Sequence, residues 1–318
     1  MDYTTLGRTG LDVSVVGLGC GGHSRLGQAK GASEDQSVAL VKAAIDLGIT
    51  FLDTATAYGT EKIVGRAIAG QRDKVVISTK EQIVQEGSSP QDSKLISGVE
   101  LKHRVEASLQ RLNTDYIDIL HLHGVGPHQY DHCLAEFAPA LDDLKTKGKI
   151  RFSGITERFI DDPSHTMLDR AIKDDCWDVM MVGFNLLNPS ATRRVFPKTL
   201  DQKIGTLCMF AVRRALSNPE ALCELIIQLN KEGLLNRADF NMDNPLEFLV
   251  TQGGAKNVVD GAYRYCRHTP GIDVILTGTS KLEHLKQNIA SINNASLNPA
   301  CLEKLDALFG KIDTVSGN

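Results

Sequence analysis

The sequence carries no marked excess of one charge and no long hydrophobic run. Lysine and arginine number 35 against 39 aspartate and glutamate, so the formal net charge is −4. This balance gives no indication of a nucleic-acid or membrane-surface binder. No stretch approaches the roughly 20 apolar residues of a membrane span, and MDYTTLGRTG lacks the basic and then apolar pattern of a secretory signal. We therefore expect a cytoplasmic protein without nucleic-acid or membrane partners.

Paired cysteines are also missing. The seven cysteines are scattered along the chain and form no CxxC pair. An odd number at dispersed spacing is typical of reduced thiols in a cytosolic protein rather than of a disulfide framework. We expect each to be a small apolar residue of the core.

What the chain does have is enough apolar sequence for a large core. Of its 318 residues, 42% are hydrophobic and 23% are charged, as in ordinary soluble globular proteins. A core of this size needs no disulfide or structural metal. The length would allow two average domains, but it is also the usual size of one α/β barrel with extra helices.

Short apolar runs alternate with helical patterns along the whole chain. Eight runs are predicted as strands: 13–19, 49–53, 74–79, 116–122, 150–155, 177–182, 204–210 and 272–276. Helices are predicted over 36–47, 60–69, 101–112, 133–147, 163–173 and 282–292, and a loop over 82–94. Nearly continuous apolar strands indicate a parallel sheet covered by helices. Eight such units favour a closed (β/α)8 TIM barrel over an open doubly wound sheet.

One stretch, 215–270, is too long for a single crossover between strands. It holds three further helical patterns, at 220–232, 245–252 and 257–267. No break in composition and no linker separates this stretch from the rest. We therefore expect one barrel domain over 1–318 with a helical insertion at about 215–270.

Polar residues follow three consecutive predicted strands. Asp53 ends the second strand, Lys80 follows the third, and His121 and His123 end the fourth. Tyr58 comes five residues after Asp53. In a barrel, functional groups sit where strands end, so these side chains can converge. Taken singly, each has a purely structural explanation as a cap or a loop anchor, and it is their joint placement that indicates a site.

This combination suits proton transfer to a carbonyl oxygen that accepts a hydride. A phenol has a reference pKa of about 10, so it needs help to work near neutrality. A nearby ammonium stabilises phenolate, and a carboxylate keeps that ammonium charged. An imidazole can donate a hydrogen bond to the carbonyl oxygen.

Four histidines within HLHGVGPHQYDH, residues 121–132, raise the alternative of a metal site. Alternation along a strand puts His121 and His123 on the same side, as in metal-dependent barrel hydrolases. The acidic and histidine ligands expected on later strands are not evident. We therefore predict no metal and keep the hydrolase as a minor alternative.

The glycine cluster GLGCGG, residues 17–22, is a second ambiguous feature. A Rossmann phosphate loop would need G-x-G-x-x-G spacing and an acidic residue about 20 positions later at a strand end. Neither is present. A tight turn beside the substrate pocket is the favoured interpretation, and it includes Gly21 and Gly22.

Several of these segments together resemble the aldo-keto reductases. YTTLGRTGLDVSVVGLGCGG (3–22) is similar to that family's N-terminal hairpin and first strand, and LGITFLDTATAYGTEKIVGRAI (47–68) to its most diagnostic segment. DYIDILHLHG (115–124), GKIRFSGIT (148–156) and TGTSKLEHLKQNI (277–289) resemble later parts of the barrel. The resemblance runs from residue 3 to about 290. It implies that Asp53, Tyr58, Lys80 and His123 are the catalytic residues.

The resemblance also implies a nicotinamide cofactor. The residues it assigns to that cofactor are Gly21, Gly22, Asp53, Thr156, Glu157, Asn185, Met209, Phe210, Ala211, Arg213, Gly278, Thr279, Ser280, Lys281, His284, Gln287 and Asn288.

Several of these positions depart from the family pattern. Thr156 and Glu157 occupy the two positions where the family usually has Ser and Asn. Met181 occupies a position where the family often has Gln. Met209 or Phe210 replaces the usual stacking aromatic. His284 stands at an Arg that many NADP-dependent members carry for the 2′-phosphate. The choice between NADP and NAD therefore stays open.

The implied function is an NAD(P)-dependent oxidoreductase that interconverts an aldehyde, ketone or sugar with its alcohol or lactone, with Tyr58 as general acid and base. The pattern is closest to members acting on sugars, such as the L-galactose, L-fucose and D-threo-aldose dehydrogenases. The alternative is a nicotinamide-binding sensor or regulatory subunit with weak chemistry. We expect a monomer or a small homo-oligomer with a small-molecule partner.

Overall fold

Ten strands form a two-stranded sheet and a closed eight-stranded parallel barrel. The computed structural model describes residues 1–318. The strands are β1 Tyr3–Thr5, β2 Asp12–Ser14, β3 Val16–Gly19, β4 Phe51–Asp53, β5 Val76–Gln82, β6 Ile117–Val125, β7 Ile150–Glu157, β8 Val179–Gly183, β9 Gly205–Met209 and β10 Val274–Thr277. The barrel runs in chain order from β3 to β10, and β10 pairs with β3 to close it. The predicted (β/α)8 barrel is confirmed.

The first predicted strand is in fact two strands. Val13 and Ser14 belong to β2, which pairs antiparallel with β1, and the barrel strand β3 begins only at Val16. The side chain of Ser14 causes the break, because its hydroxyl donates to the Val16 carbonyl at 2.7 Å and accepts from the Thr50 amide at 2.9 Å. Such local side-chain bonds compete with a regular ladder. The hairpin implied by the family resemblance is thereby confirmed.

Helices lie between the barrel strands and beside them. The α-helices are Glu34–Asp46, Glu61–Ile68, Gly98–Leu112, Tyr130–His132, Ala138–Thr146, Thr166–Ala171, Ala191–Arg194, Phe196–Asp201, Arg214–Ser217, Pro219–Lys231, Phe248–Thr251, Val258–Arg267, Leu282–Ile292 and Pro299–Phe309. None of them is long and apolar enough to cross a membrane.

One helical prediction needs correction, and one helix was not predicted. The helix predicted over 133–147 begins with a π-helical turn, Cys133–Phe137, and becomes α-helical only from Ala138. Pro139 contributes to this, because it has no N–H to donate to an earlier carbonyl. The C-terminal helix Pro299–Phe309 was not predicted at all, although Pro at its first position is a typical helix start.

Apolar side chains pack in three groups. The largest lies between the strands and the surrounding helices. A second group joins the helices of 215–270 to the C-terminal helix, and it includes both Ile226 and Phe309. The third lies inside the barrel, where Leu6 and Val13 of the hairpin region cluster with Phe51. The hairpin thus covers the amino end of the strands, and their carboxyl ends form the mouth. One domain over 1–318 stays a prediction.

Candidate active site

A buried ion pair lies at the ends of β4 and β5. The Lys80 Nζ donates to both carboxylate oxygens of Asp53 at 2.7 Å and to the Thr54 carbonyl at 2.8 Å. The Ser78 hydroxyl donates to Asp53 Oδ1 at 2.8 Å. Burial alone would lower the pKa of Lys80, but its acidic neighbours, Asp53 foremost, together outweigh burial and the pKa is raised. The ammonium therefore stays charged inside the barrel.

Tyr58 lies above this pair on a one-turn 3-10 helix, Thr56–Tyr58, which follows β4. The Lys80 Nζ is 5.0 Å from the centre of the Tyr58 ring. Gly21 is needed beside it, because a Cβ there would overlap the ring. Burial raises the pKa of the Tyr58 phenol, and the charge of Lys80 opposes that rise without cancelling it. Tyr58 is therefore a protonated phenol near neutral pH, suited to giving a proton.

His123 faces the same phenol from β6. Its Nε2 is 3.5 Å from the Tyr58 hydroxyl oxygen, the outer limit of a hydrogen bond, and the two rings meet edge to face. Burial, then the charges of Lys80 and Arg158, lower the pKa of His123 to about 3. The imidazole is therefore neutral and keeps one N–H that can donate a hydrogen bond to a carbonyl oxygen.

His121 points into the barrel from the same strand, but it packs rather than ligates. Its ring lies against Gly154, where any Cβ would overlap it, and neither ring nitrogen has a hydrogen-bond partner. Burial lowers its pKa well below the ordinary value. His128 and His132 contact the carbonyls of Gln91 and Ile96 instead. No group of three or more His, Cys, Asp or Glu side chains is placed to hold a metal ion.

A second buried carboxylate supports the turn that carries Tyr58. Glu81 Oε1 accepts from the Thr56 hydroxyl at 2.5 Å and from the Ser108 hydroxyl at 2.6 Å. Arg111 joins this group to Glu61 through a bond of 2.6 Å. Glu81 was not predicted as a site residue, although it directly follows Lys80 in the polar strand end STKEQ, which indicates such a role.

The two polar residues at the end of β7, Thr156 and Glu157, form hydrogen bonds within the protein. The Thr156 hydroxyl accepts from the Gly124 amide at 2.6 Å. Glu157 is fully buried; its carboxylate contacts His165 Nδ1 at 3.0 Å and accepts from the Gly183 amide at 2.7 Å. Burial raises the pKa of Glu157 against the opposing effect of His165. Glu157 was predicted as a cofactor contact, but its carboxylate has partners within the protein, which the sequence did not predict.

Asn185 is likewise engaged within the protein. Its amide nitrogen donates to the carbonyls of Phe210 at 3.3 Å and Ser316 at 3.0 Å, and its oxygen accepts from the amides of Leu187 and Asn188. This side chain is completely buried. It anchors the C-terminal tail rather than presenting a polar group to the mouth, so its expected role as a cofactor contact finds no support here.

The segment after β9 brings an aromatic ring and a cation to the mouth. Met209 ends β9 and Phe210 follows in the left-handed region, with φ of 71°. The Phe210 ring meets that of Phe159 edge to face at 5.6 Å. The guanidinium of Arg213 lies over Phe210, 3.9 Å from the ring centre. Ala211 is buried beneath them.

The loop after β10 forms the remaining side of the mouth. A Cβ on Gly278 would lie 3.1 Å from the Gly19 carbonyl, so the loop approaches β3 closely. The Thr279 hydroxyl accepts from the Lys281 amide. Lys281 directly precedes helix Leu282–Ile292, and its side chain does not cap the first backbone N–H groups of that helix. The Asn288 amide donates to the Thr277 hydroxyl at 2.8 Å. The other predicted members here are half-buried or exposed: Ser280, His284 and Gln287.

Taken together, a closed α/β barrel with a protonated phenol over a buried ion pair fits a barrel oxidoreductase. The chain belongs to the aldo/keto reductase family, whose sequence profile matches residues 17–309.

Individual relatives agree with that membership. The chain is 30% identical to aldo-keto reductase YhdN of Bacillus subtilis, over 94% of this chain and 90% of that protein. It is 27% identical to L-galactose dehydrogenase of Arabidopsis thaliana, over 99% and 97%. Among solved structures, an aldo/keto reductase from Klebsiella pneumoniae in complex with NADP and acetate superposes with a TM-score of 0.67. It is 25% identical and is matched over 97% of this chain and 96% of that one.

Proposed function

We propose that this protein transfers a hydride between a nicotinamide dinucleotide and a carbonyl compound or its alcohol, with Tyr58 as the proton donor and acceptor. The observation that carries the proposal is the position of Tyr58, between the charged Lys80–Asp53 pair and the neutral His123. These three neighbours supply what phenol-mediated proton transfer needs: a cation, a carboxylate that keeps it charged, and a donor for the carbonyl oxygen.

The loop after β10 fits the phosphates of such a dinucleotide. Helix Leu282–Ile292 begins there with backbone N–H groups that no side chain caps, and the Lys281 ammonium is exposed beside them. Helix N-termini with a nearby cation are suited to phosphate. Gly278, Thr279, Ser280 and Lys281 would hold the phosphates, and Gln287 and Asn288 the adenosine end. NADP is favoured, because the Klebsiella pneumoniae relative is described in complex with NADP.

The nicotinamide end is held differently from the family pattern. Met181 is buried and apolar, and the carboxylate of Glu157 is paired internally. Thr156, Met209, Phe210 and Ala211 would therefore surround the ring mainly through packing. The weaker polar contacts at this end are the feature that favours the alternative function, a cofactor-binding sensor.

This chain's own residues would move the proton. When bound, the reduced nicotinamide supplies the hydride. The Tyr58 hydroxyl gives its proton to the carbonyl oxygen as negative charge develops there, and the Lys80 charge stabilises the phenolate that remains. The neutral His123 N–H donates to the same oxygen and orients it. In the opposite direction the Tyr58 phenolate takes the proton of the alcohol.

The similarity to L-galactose dehydrogenase supports sugars as one substrate class, beside simple aldehydes and ketones. The decisive experiment is a panel of aldoses, aldehydes and ketones assayed with NADPH and NADH, with the alcohol or lactone product identified by mass spectrometry. We expect cofactor oxidation in proportion to product. Tight cofactor binding in a calorimetric titration with no turnover of any member would favour the sensor instead.

A further inference from the structure

Arg213 is a half-buried cation at the mouth that has no anionic partner. It lies four residues beyond the end of β9, on the segment that forms the rim. Its guanidinium packs over Phe210, and its single side-chain hydrogen bond is from Nε to the neutral side-chain oxygen of Asn318 at 3.2 Å. No Asp or Glu carboxylate lies within ion-pair distance of it.

Three other cations near this site are paired within the protein. Lys80 is paired with Asp53, and Arg158 contacts Asp161 at 2.6 Å. The neighbouring Arg214 points to the exterior, where it contacts Glu224 at 3.4 Å. Arg213 therefore differs from these three cations in having no ion pair, and from the exposed Lys281 in being half-buried.

A desolvated guanidinium without an anion is costly, because its charge and its planar set of donors go unused. Burial lowers the pKa of Arg213, as expected for a cation removed from water. Its charge also acts on the phenol of Tyr58, where it opposes the rise in pKa that burial causes. The guanidinium and the phenol are thus close enough for their charges to interact.

We propose that Arg213 binds a carboxylate or phosphate group of the substrate, so that the substrate class is a carbonyl compound that carries an anionic group. This rests on the proposed function, since it assumes that the carbonyl is presented to Tyr58. A guanidinium binds a carboxylate or phosphate through two parallel N–H bonds, so Arg213 fixes orientation as well as charge. The family resemblance implied a cofactor contact for Arg213. Its position over Phe210 and the interaction of its charge with Tyr58 favour the substrate instead.

The test compares two aldehydes that differ only in charge, 4-carboxybenzaldehyde and its methyl ester, methyl 4-formylbenzoate. Three proteins are assayed with NADPH: wild type, Arg213→Gln, and the matched control Arg214→Gln. In parallel, 4-(hydroxymethyl)benzoate and its methyl ester are titrated calorimetrically into each protein, so that recognition is measured without turnover. The NADPH Kd is measured for all three.

We expect Arg213→Gln to raise KM for the carboxylated aldehyde, and to weaken binding of the carboxylated alcohol, by about 10- to 100-fold. The esters and the NADPH Kd should change by less than about twofold, and Arg214→Gln should leave every value at that of the wild type. Equal losses for acid and ester, or a weaker NADPH Kd with unchanged discrimination, would overturn the proposal and assign Arg213 to the cofactor diphosphate. No turnover of either aldehyde, together with Arg213-dependent binding of the acid, would overturn the proposed function while retaining the anion site.

Discussion

The two sides of the barrel mouth are built on different principles. On the side formed by β4, β5 and β6, charged groups are paired with one another directly beneath Tyr58, as in the Lys80–Asp53 contact at 2.7 Å. On the side formed by β7, β8 and β9, polar groups are used by the protein's own framework. Glu157 binds His165 and the Gly183 amide, and Asn185 binds the C-terminal tail.

This difference suggests which part of the proposed chemistry tolerates change. A proton donor depends on charges placed close to it, and Asp53, Lys80 and His123 surround the phenol. In the proposed cofactor site a planar nicotinamide ring would be held by apolar packing, so Met181 and Phe210 would take the place of amide contacts. The two sides should therefore respond differently to substitution: changes on the first side should lower kcat, with a loss of stability where the buried ion pair is broken, and changes on the second side should lower stability alone.

Among the residues around Tyr58, the largest combined effect on stability and kcat is expected from Lys80→Met. It leaves the Asp53 carboxylate buried without its partner, which should lower the free energy of unfolding by about 3–5 kcal/mol. Loss of the charge beside Tyr58 should also lower kcat by about 100-fold or more. Denaturant unfolding and steady-state kinetics measure the two effects. The double variant Lys80→Met with Asp53→Asn should regain most of the stability but none of the kcat. Parallel recovery of both would mean that Lys80 acts only through the fold.

On the other side, Glu157→Gln should affect stability and leave cofactor binding intact. The charged contacts to His165 and the Gly183 amide are weakened, so the free energy of unfolding should fall by about 1–3 kcal/mol. The NADPH Kd should stay within about twofold of the wild type, as for the exposed control Glu86→Gln. A much weaker Kd with unchanged unfolding would instead make Glu157 a cofactor contact.

A smaller effect on kcat is expected from Glu81→Gln. The neutral amide accepts less strongly from Thr56, so the turn that carries Tyr58 should be held less firmly. We expect kcat to fall by about 3- to 10-fold, because small misplacements of a reacting group are costly. The loss of activity at alkaline pH, which the proposed mechanism assigns to deprotonation of Tyr58, should occur at the same pH as in the wild type. Glu100→Gln, which alters a half-exposed pair with Arg104, is the matched control and should be neutral. Equal losses in both variants would refute a positioning role.

The smallest expected effect is that of acidic pH on carbonyl reduction. His123 has a pKa of about 3, so it stays neutral as the pH falls from neutrality towards about 5. The general acid Tyr58 must be protonated, and its pKa is raised, so activity should fall only in the strongly alkaline range. A pH profile of kcat/KM is therefore expected to be flat through the acidic and neutral range. An acidic limb near the ordinary histidine pKa would contradict the neutral state of His123.

The sequence predicted the barrel because each of its strands is a nearly continuous apolar run. It did not predict the break at Ser14, since VSVVGLG reads as one run and the break comes from side-chain bonds to the backbone. Asp53, Lys80 and His123 could be found because strand ends of a barrel meet at one rim. The partners of Asn185 could not, because Ser316 is 131 residues away along the chain and only the folded tail brings it near.

The proton-transferring role of Tyr58 is tested most directly by Tyr58→Phe in a single turnover. Enzyme preloaded with NADPH is mixed with a carbonyl substrate identified from the panel, and the rate of cofactor oxidation is followed in both proteins. We predict a fall of about 100- to 10,000-fold in that rate with an unchanged NADPH Kd. The variant keeps the ring that packs against Gly21 and loses only the hydroxyl. A rate equal to that of the wild type would contradict the role of Tyr58.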